Sequence, residues 1–210
     1  HRPQRLGRLC DQFDLAGRLL QYQQITDGQT YTSSYEYSLS GALTKETYPS
    51  GRVVQNQIDQ NGNLQRIYGK ATSTATEHTY ANPFSYFADG KIEKLRLGNG
   101  LWEAASLNSR LQVKEFALGH GVESGDLWKL NIEYGELQTN GTVDESKNSG
   151  NIAKQTLTVD GLSQPFVQTY QYDSLYRLAE AQETNNGNQT WKQVFGYDRY
   201  GNRTSHEEWI

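Results

Sequence analysis

One frame recurs along this chain and leaves few folds open to it: an aromatic or apolar residue, a short polar residue, two variable positions, then glycine or a substitute. Near the C-terminal end it reads Tyr172-Asp173-Ser174-Leu175-Tyr176-Arg177-Leu178, and again Tyr197-Asp198-Arg199-Tyr200-Gly201-Asn202-Arg203. Upstream it reads Phe13-Asp14-Leu15-Ala16-Gly17-Arg18-Leu19, Tyr37-Ser38-Leu39-Ser40-Gly41-Ala42-Leu43 and Ile58-Asp59-Gln60-Asn61-Gly62-Asn63-Leu64. Tyr86-Phe87-Ala88-Asp89-Gly90-Lys91-Ile92 follows with its Asp displaced. A weaker copy surrounds Gly150, and a degenerate one sits near Asn108-Ser109-Arg110-Leu111. Further turn signals lie between these frames, at Tyr48-Pro49-Ser50-Gly51-Arg52 and Leu97-Gly98-Asn99-Gly100-Leu101. Reversal about every ten residues fits strand, turn, strand, and not helix.

The chemistry of the frame is local. Asp or Asn bonds its own backbone two residues on and starts a turn. Glycine three positions later takes positive φ without a Cβ clash. The aromatic before the turn and the apolar residue after it then meet as a cross-strand pair. The structural positions are therefore Phe13, Asp14, Gly17, Tyr37, Gly41, Asp59, Gly62, Tyr86, Gly90, Tyr172, Asp173, Tyr197, Asp198 and Gly201. Between turns, Trp128, Leu130, Ile132 and Tyr134 alternate with Lys129, Asn131 and Glu133, the period of a half-buried strand. Residues 101–107 hold helix formers but follow an Asn-Gly turn, so a strand is expected there. The expectation is an all-β fold: an elongated, curved antiparallel sheet of sequential hairpins, solenoid-like or part of a shell. A single domain is expected over 1–210, with degenerate repeats at 100–150 and a flexible loop at 138–151.

Composition narrows the function. The chain is 35% hydrophobic, with 14 Tyr and 20 Gly but only four Pro. That suits thin sheet, with tyrosines on a half-buried face and their hydroxyls in water. A net charge of -4 and no basic run argue against nucleic acid and anionic membranes, and no apolar run is long enough to insert in a bilayer. Cys10 stands alone, so neither an internal disulfide nor a cysteine metal cluster is available; it reads as a bystander thiol. His1, His78, His120 and His206 show no metal-ligand spacing, and Asp144-Glu145-Ser146-Lys147-Asn148 lacks the pattern of a calcium loop. No cofactor or metal is expected. The repeat aspartates invite a glycosidase reading, but the turn already accounts for them. Trp102, Trp128, Trp191 and Trp209 could stack sugars; the alternation around them favours a place on the inner face of the sheet.

The Tyr-Asp-x-x-Gly-Arg-Leu frame resembles the YD repeat of RHS-repeat proteins, along nearly the whole chain. The resemblance implies a spiralling antiparallel sheet that can close into a hollow shell, around a toxic domain in bacterial members or within an adhesion receptor in animal ones. The self-cleaving core region and the toxin domain of that family have no counterpart here. The chain opens on His1 and reads as a piece of a longer polypeptide. The resemblance thus implies a non-catalytic scaffold or shell segment of a surface or toxin-delivery protein, extracellular or on the cell surface. Its partners would be further repeats of the parent chain, copies associating through sheet edges, or a cargo domain. Two alternatives are a module that binds glycans or a partner cell through exposed Tyr and Trp, and a polysaccharide-acting enzyme.

Overall fold

The computed structural model describes residues 9–208. Two compact units appear, residues 1–100 and 101–210. The first contains β1 (Leu9–Phe13), β2 (Leu19–Thr26), β3 (Gln29–Tyr37), β4 (Leu43–Thr47), β5 (Val53–Ile58), β6 (Leu64–Lys70), β7 (His78–Tyr86) and β8 (Ile92–Leu97). Each strand pairs antiparallel with the next. The second unit contains β9 (Trp102–Leu107), β10 (Val113–Gly119), β11 (Trp128–Tyr134), β12 (Glu136–Leu137), β13 (Val143–Asp144), β14 (Ile152–Val159), β15 (Phe166–Tyr172), β16 (Leu178–Asn185), β17 (Asn188–Tyr197) and β18 (Arg203–Glu208). Its sheet runs in chain order except that β11 pairs with β14, while β12 and β13 form a separate two-stranded ladder. The fold is all-β and built from sequential antiparallel hairpins. Residues 102–107 form a strand, because position in the alternation outweighs helix propensity.

The two faces of the second unit differ chemically. Register brings Phe116, Leu130, Leu157 and Phe166 side by side, an apolar row across four strands. The opposite face pairs charges across strands: Glu133 with Lys154 at 3.2 Å, Glu180 with Lys192 at 3.0 Å and Glu115 with Lys129 at 3.6 Å. In the first unit Glu36 pairs across strands with Lys45 at 2.7 Å, while the other face is mixed, with Tyr35, Glu46 and Val54 in one row. Such pairs set register more than they stabilise, since exposed ion pairs contribute about 0–1 kcal/mol.

Burial is shallow. Among the described residues, the buried hydrophobics are Ala81, Ala104, Ala117, Ile132, Ala153 and Ala181, and no large side chain is fully buried. With so little buried, lateral contacts between neighbouring hairpins must supply most of the stability.

The segment 138–151, expected as a loop, is mostly turn and irregular chain with two short regular pieces. It holds β13, paired with β12 just before the segment, and a 3-10 turn at Glu145–Lys147, capped by the Asp144 carboxylate on the Ser146 N–H. His1 and Trp209 lie outside the described residues, as do the side chains of Cys10 and His206.

Candidate functional site: the interlock between repeats

The repeated turn has one construction. Its first residue donates its N–H to the carbonyl four positions on, and the residue three positions on donates back to the first carbonyl. This holds for turns starting at Asp14, Ser38, Tyr48, Asp59, Phe87, Asn108, Gln138, Asp173 and Asp198. The fourth position has positive φ at Gly17, Gly41, Gly51, Gly62, Gly90, Gly141 and Gly201. Leu111 and Tyr176 adopt it too, at φ 59° each, without glycine's freedom. This is a type I turn followed by a left-handed bulge residue. The turn at Gln138 carries no Asp, and its first side chain gives the sequence no signal. Gly150 does not close a turn of this kind; its N–H goes to the Asn148 side chain at 2.9 Å.

The aspartate holds the turn from inside. Asp173 Oδ1 accepts from the N–H groups of Leu175 and Arg177, both at 2.9 Å. Asp14, Asp59 and Asp198 accept the same two bonds at 2.8–2.9 Å, and neutral Asn108 accepts them at 2.9 and 3.1 Å. The second carboxylate oxygen takes the side chain four positions on. Arg18 Nε lies 2.6 Å from Asp14 and Arg177 Nε 2.7 Å from Asp173.

The next link joins one repeat to another, and it accounts for the tyrosine. Tyr37 donates its hydroxyl to the Leu19 carbonyl at 2.9 Å. Tyr86 reaches Leu64 at 2.5 Å, Tyr134 reaches Val113 at 2.9 Å, Tyr172 reaches Ile152 at 2.8 Å and Tyr197 reaches Leu178 at 2.8 Å. The acceptor is the first residue of the strand that leaves the preceding turn on the same rim. Where Ile58 replaces tyrosine, Asn56 Nδ2 donates to the Leu43 carbonyl instead, at 3.1 Å. The arginine completes the join. Arg18 stacks over Tyr37 at 5.0 Å and Arg177 over Tyr197 at 4.2 Å, each ring belonging to the following repeat.

These hydroxyls bond backbone carbonyls at part-buried sites, where the sequence reading expected only water as their partner. Burial pushes Tyr86, Tyr134 and Tyr172 above the ordinary phenol pKa, which keeps them protonated as donors.

Two conclusions follow for catalysis and pH. Each repeat carboxylate spends its oxygens on its own turn. The backbone N–H of Arg18 holds Asp14 below the usual carboxylate pKa, as that of Asn63 does Asp59; side-chain donation from Arg177 and Asn202 does the same for Asp173 and Asp198. A group whose pKa is depressed on folding contributes fully above its unfolded value, near 3.8, and less as pH falls through the folded value. The melting temperature is therefore expected to be flat near neutrality and to fall below that value. Asn at 14, 59, 173 and 198 should flatten the acid limb while leaving the turns formed, as Asn108 does. Thermal melts of both proteins across pH 2.5–7 check this, a range set by the same linkage and spanning the carboxylate titration.

A different triad of residues escaped the sequence reading. In the β10–β11 connection, His120 Nδ1 lies 2.7 Å from Asp126 Oδ2, and Ser124 Oγ donates to Asp126 Oδ1 at 2.5 Å. The donation from Ser124, ahead of His120, depresses the Asp126 pKa. The serine bonds the carboxylate rather than the imidazole, and with its pKa lowered that carboxylate is a weak base; the three side chains tie the loop together.

Residues 13–53 match the RHS Repeat family. The fold matches the crystal structure of TcdB2-TccC3 with a TM-score of 0.72 and 20% identity, over 94% of this chain and 11% of that one. It matches TcdB2-TccC3-Cdc42 with a TM-score of 0.70 and 19% identity, over 93% and 11%. The Tc holotoxin pore of Photorhabdus luminescens gives 0.69 and 19%, over 93% and 11%. No curated protein matches the chain. The chain spans about a tenth of the length of those solved chains, and at such identities the likeness concerns the fold.

Proposed function

Because residues 13–53 are an RHS repeat and the same interlocked turn recurs through this YD-repeat chain, we propose that it is a wall segment of a larger RHS-type shell, structural and not catalytic. The observation that carries this reading is the interlock. Repeat after repeat presents a strand-start carbonyl to the next, joined at Arg18 and Arg177 by an arginine stacked on the next tyrosine, which suits an array extended unit by unit. The Tc-type complexes whose fold it shares support a place in a toxin-like assembly. The parent protein would act outside the cell or at its surface. The partners of this segment would be further repeats of that protein and an enclosed cargo domain. The repeat tyrosines, aspartates and glycines act as structural positions in this reading.

Electron cryomicroscopy of the parent polypeptide, with residues 9–208 located in the map, tests this. The reading expects these strands within a closed wall, one face lining an enclosed space. A sheet standing alone with solvent on both faces would overturn it.

A further inference from the structure

Four Asn-Gly pairs lie along this chain, at 61–62, 99–100, 140–141 and 186–187. In such a pair the backbone nitrogen of the glycine can attack the asparagine amide, because no Cβ crowds the approach. In three of them the fold holds that nitrogen back. Gly62 donates its N–H to the Asp59 carbonyl at 3.1 Å, Gly100 to the Leu97 carbonyl at 2.9 Å and Gly141 to the Gln138 carbonyl at 2.9 Å. Freeing any of these nitrogens breaks the turn that contains it. Asn140 is tied further, since its Oδ1 accepts from the Thr142 N–H at 3.0 Å and from the Thr142 Oγ1 at 2.7 Å.

Asn186-Gly187 is built differently. It is the whole of the loop between Asn185 and Asn188, which pair across β16 and β17. Asn186 has φ 50° and Gly187 φ 75°, the signs of a type I′ turn. The ladder closes through the flanking residues, and among the described residues no backbone carbonyl takes the Gly187 N–H. Both loop residues are exposed. Rotating the peptide plane between them converts type I′ into type II′, and both types close two-residue hairpins. That rotation turns the Gly187 nitrogen toward the Asn186 side chain while the Asn185–Asn188 pair stays in place.

We infer that Asn186 is a site of spontaneous succinimide formation in the folded protein, and that the fold shields the other three asparagines. The Gly187 N–H gives its proton to water or hydroxide, and the nitrogen lone pair attacks Asn186 Cγ. The new C–N bond closes an imide ring, and the side-chain nitrogen leaves as ammonia after taking a proton from solvent. Water then opens the imide at either carbonyl, leaving aspartate or isoaspartate with one added negative charge. The aspartate form fits the fold, because Asp27-Gly28 already makes the same loop between β2 and β3 at φ 49° and 79°. The isoaspartate form places an extra backbone carbon in a loop of minimal length, so it opens the end of the β16–β17 hairpin. This site lies beyond the wall role and stands or falls separately from it.

The test is peptide mapping by mass spectrometry of the chain aged in mildly alkaline buffer, folded and in concentrated urea. In the folded chain Asn186 should lose its amide at least about fivefold faster than Asn61, Asn99 or Asn140, the factor that one turn hydrogen bond implies. In urea the four should react at similar rates, since each precedes glycine. Amide hydrogen exchange then reads the consequence: the isoaspartate form should lose protection over residues 184–189, and Asn186→Asp should keep it. The inference is overturned if another of the four asparagines keeps pace with Asn186 in the folded chain. It is equally overturned if the preference for Asn186 persists undiminished in urea, or if the isoaspartate form is as protected as the parent.

Discussion

Replacing Tyr37, Tyr86, Tyr134, Tyr172 and Tyr197 together by phenylalanine is expected to leave the chain largely unfolded at room temperature. Each change removes one hydroxyl and keeps the ring, the strand propensity and the packing. What is lost is a bond of 2.5–2.9 Å to a backbone carbonyl, and the carbonyl is left short of a partner at a half-buried site. A bond of this kind contributes about 1 kcal/mol, so the five together amount to roughly 5 kcal/mol, comparable with the whole stability of many domains. The effect should accumulate nearly evenly, because the five bonds join different pairs of repeats. Urea titration of the single and combined variants checks both the sum and its evenness. Retention of a parent-like midpoint by the fivefold variant would mean that the hydroxyls are incidental.

A single methyl group at position 98 is expected to cost more than any one of these hydroxyls. Gly98 follows β8, and its N–H donates to the Tyr80 carbonyl at 2.7 Å. A Cβ built there would lie 2.1 Å from the Thr79 carbonyl oxygen and 3.2 Å from the Tyr80 Cα. These are backbone atoms of the paired strand, so no side chain can swing aside. Gly98→Ala must push β7 and β8 apart, with a loss of about 2–4 kcal/mol. Gly201→Ala makes a useful contrast: nothing lies within 4 Å of its Cβ, and its φ of 84° alone resists substitution, at about 1–2 kcal/mol. Melting both variants separates lack of space from lack of conformational freedom. Equal losses would contradict the distinction.

The turns were readable because their chemistry is local. Asp173 meets its N–H partners two and four residues on, so the spacing of Asp and Gly encodes the turn. Even the substitute at Tyr176 and the degenerate copy at Leu111 could be placed from their position in the frame. The strand at Trp102–Leu107 was legible for the same reason, since a turn precedes it. What the sequence hid was everything spanning two repeats. The partner of the Tyr172 hydroxyl is a backbone carbonyl 20 residues away, and a carbonyl has no residue type to recognise. The β12–β13 hairpin was hidden differently. Its two-residue strands are too short to show alternation, and its turn at Gln138–Thr142 lacks a side-chain cap at the first position. The Asn, Gly, Thr and Ser around it read as an irregular loop. The link between His120 and Asp126 spans a loop whose fold no periodicity describes.

Amide hydrogen exchange of Tyr172→Phe against the parent chain tests most directly whether repeats hold one another through these bonds. The missing bond joins β15 to the start of β14. In an array held by neighbours, protection should drop in β14, β15 and the adjoining end of β16, and stay near parent values in β9 and β10. Unchanged protection around Ile152, or an even loss across every strand of residues 101–208, would contradict the interlock as the source of this fold's stability.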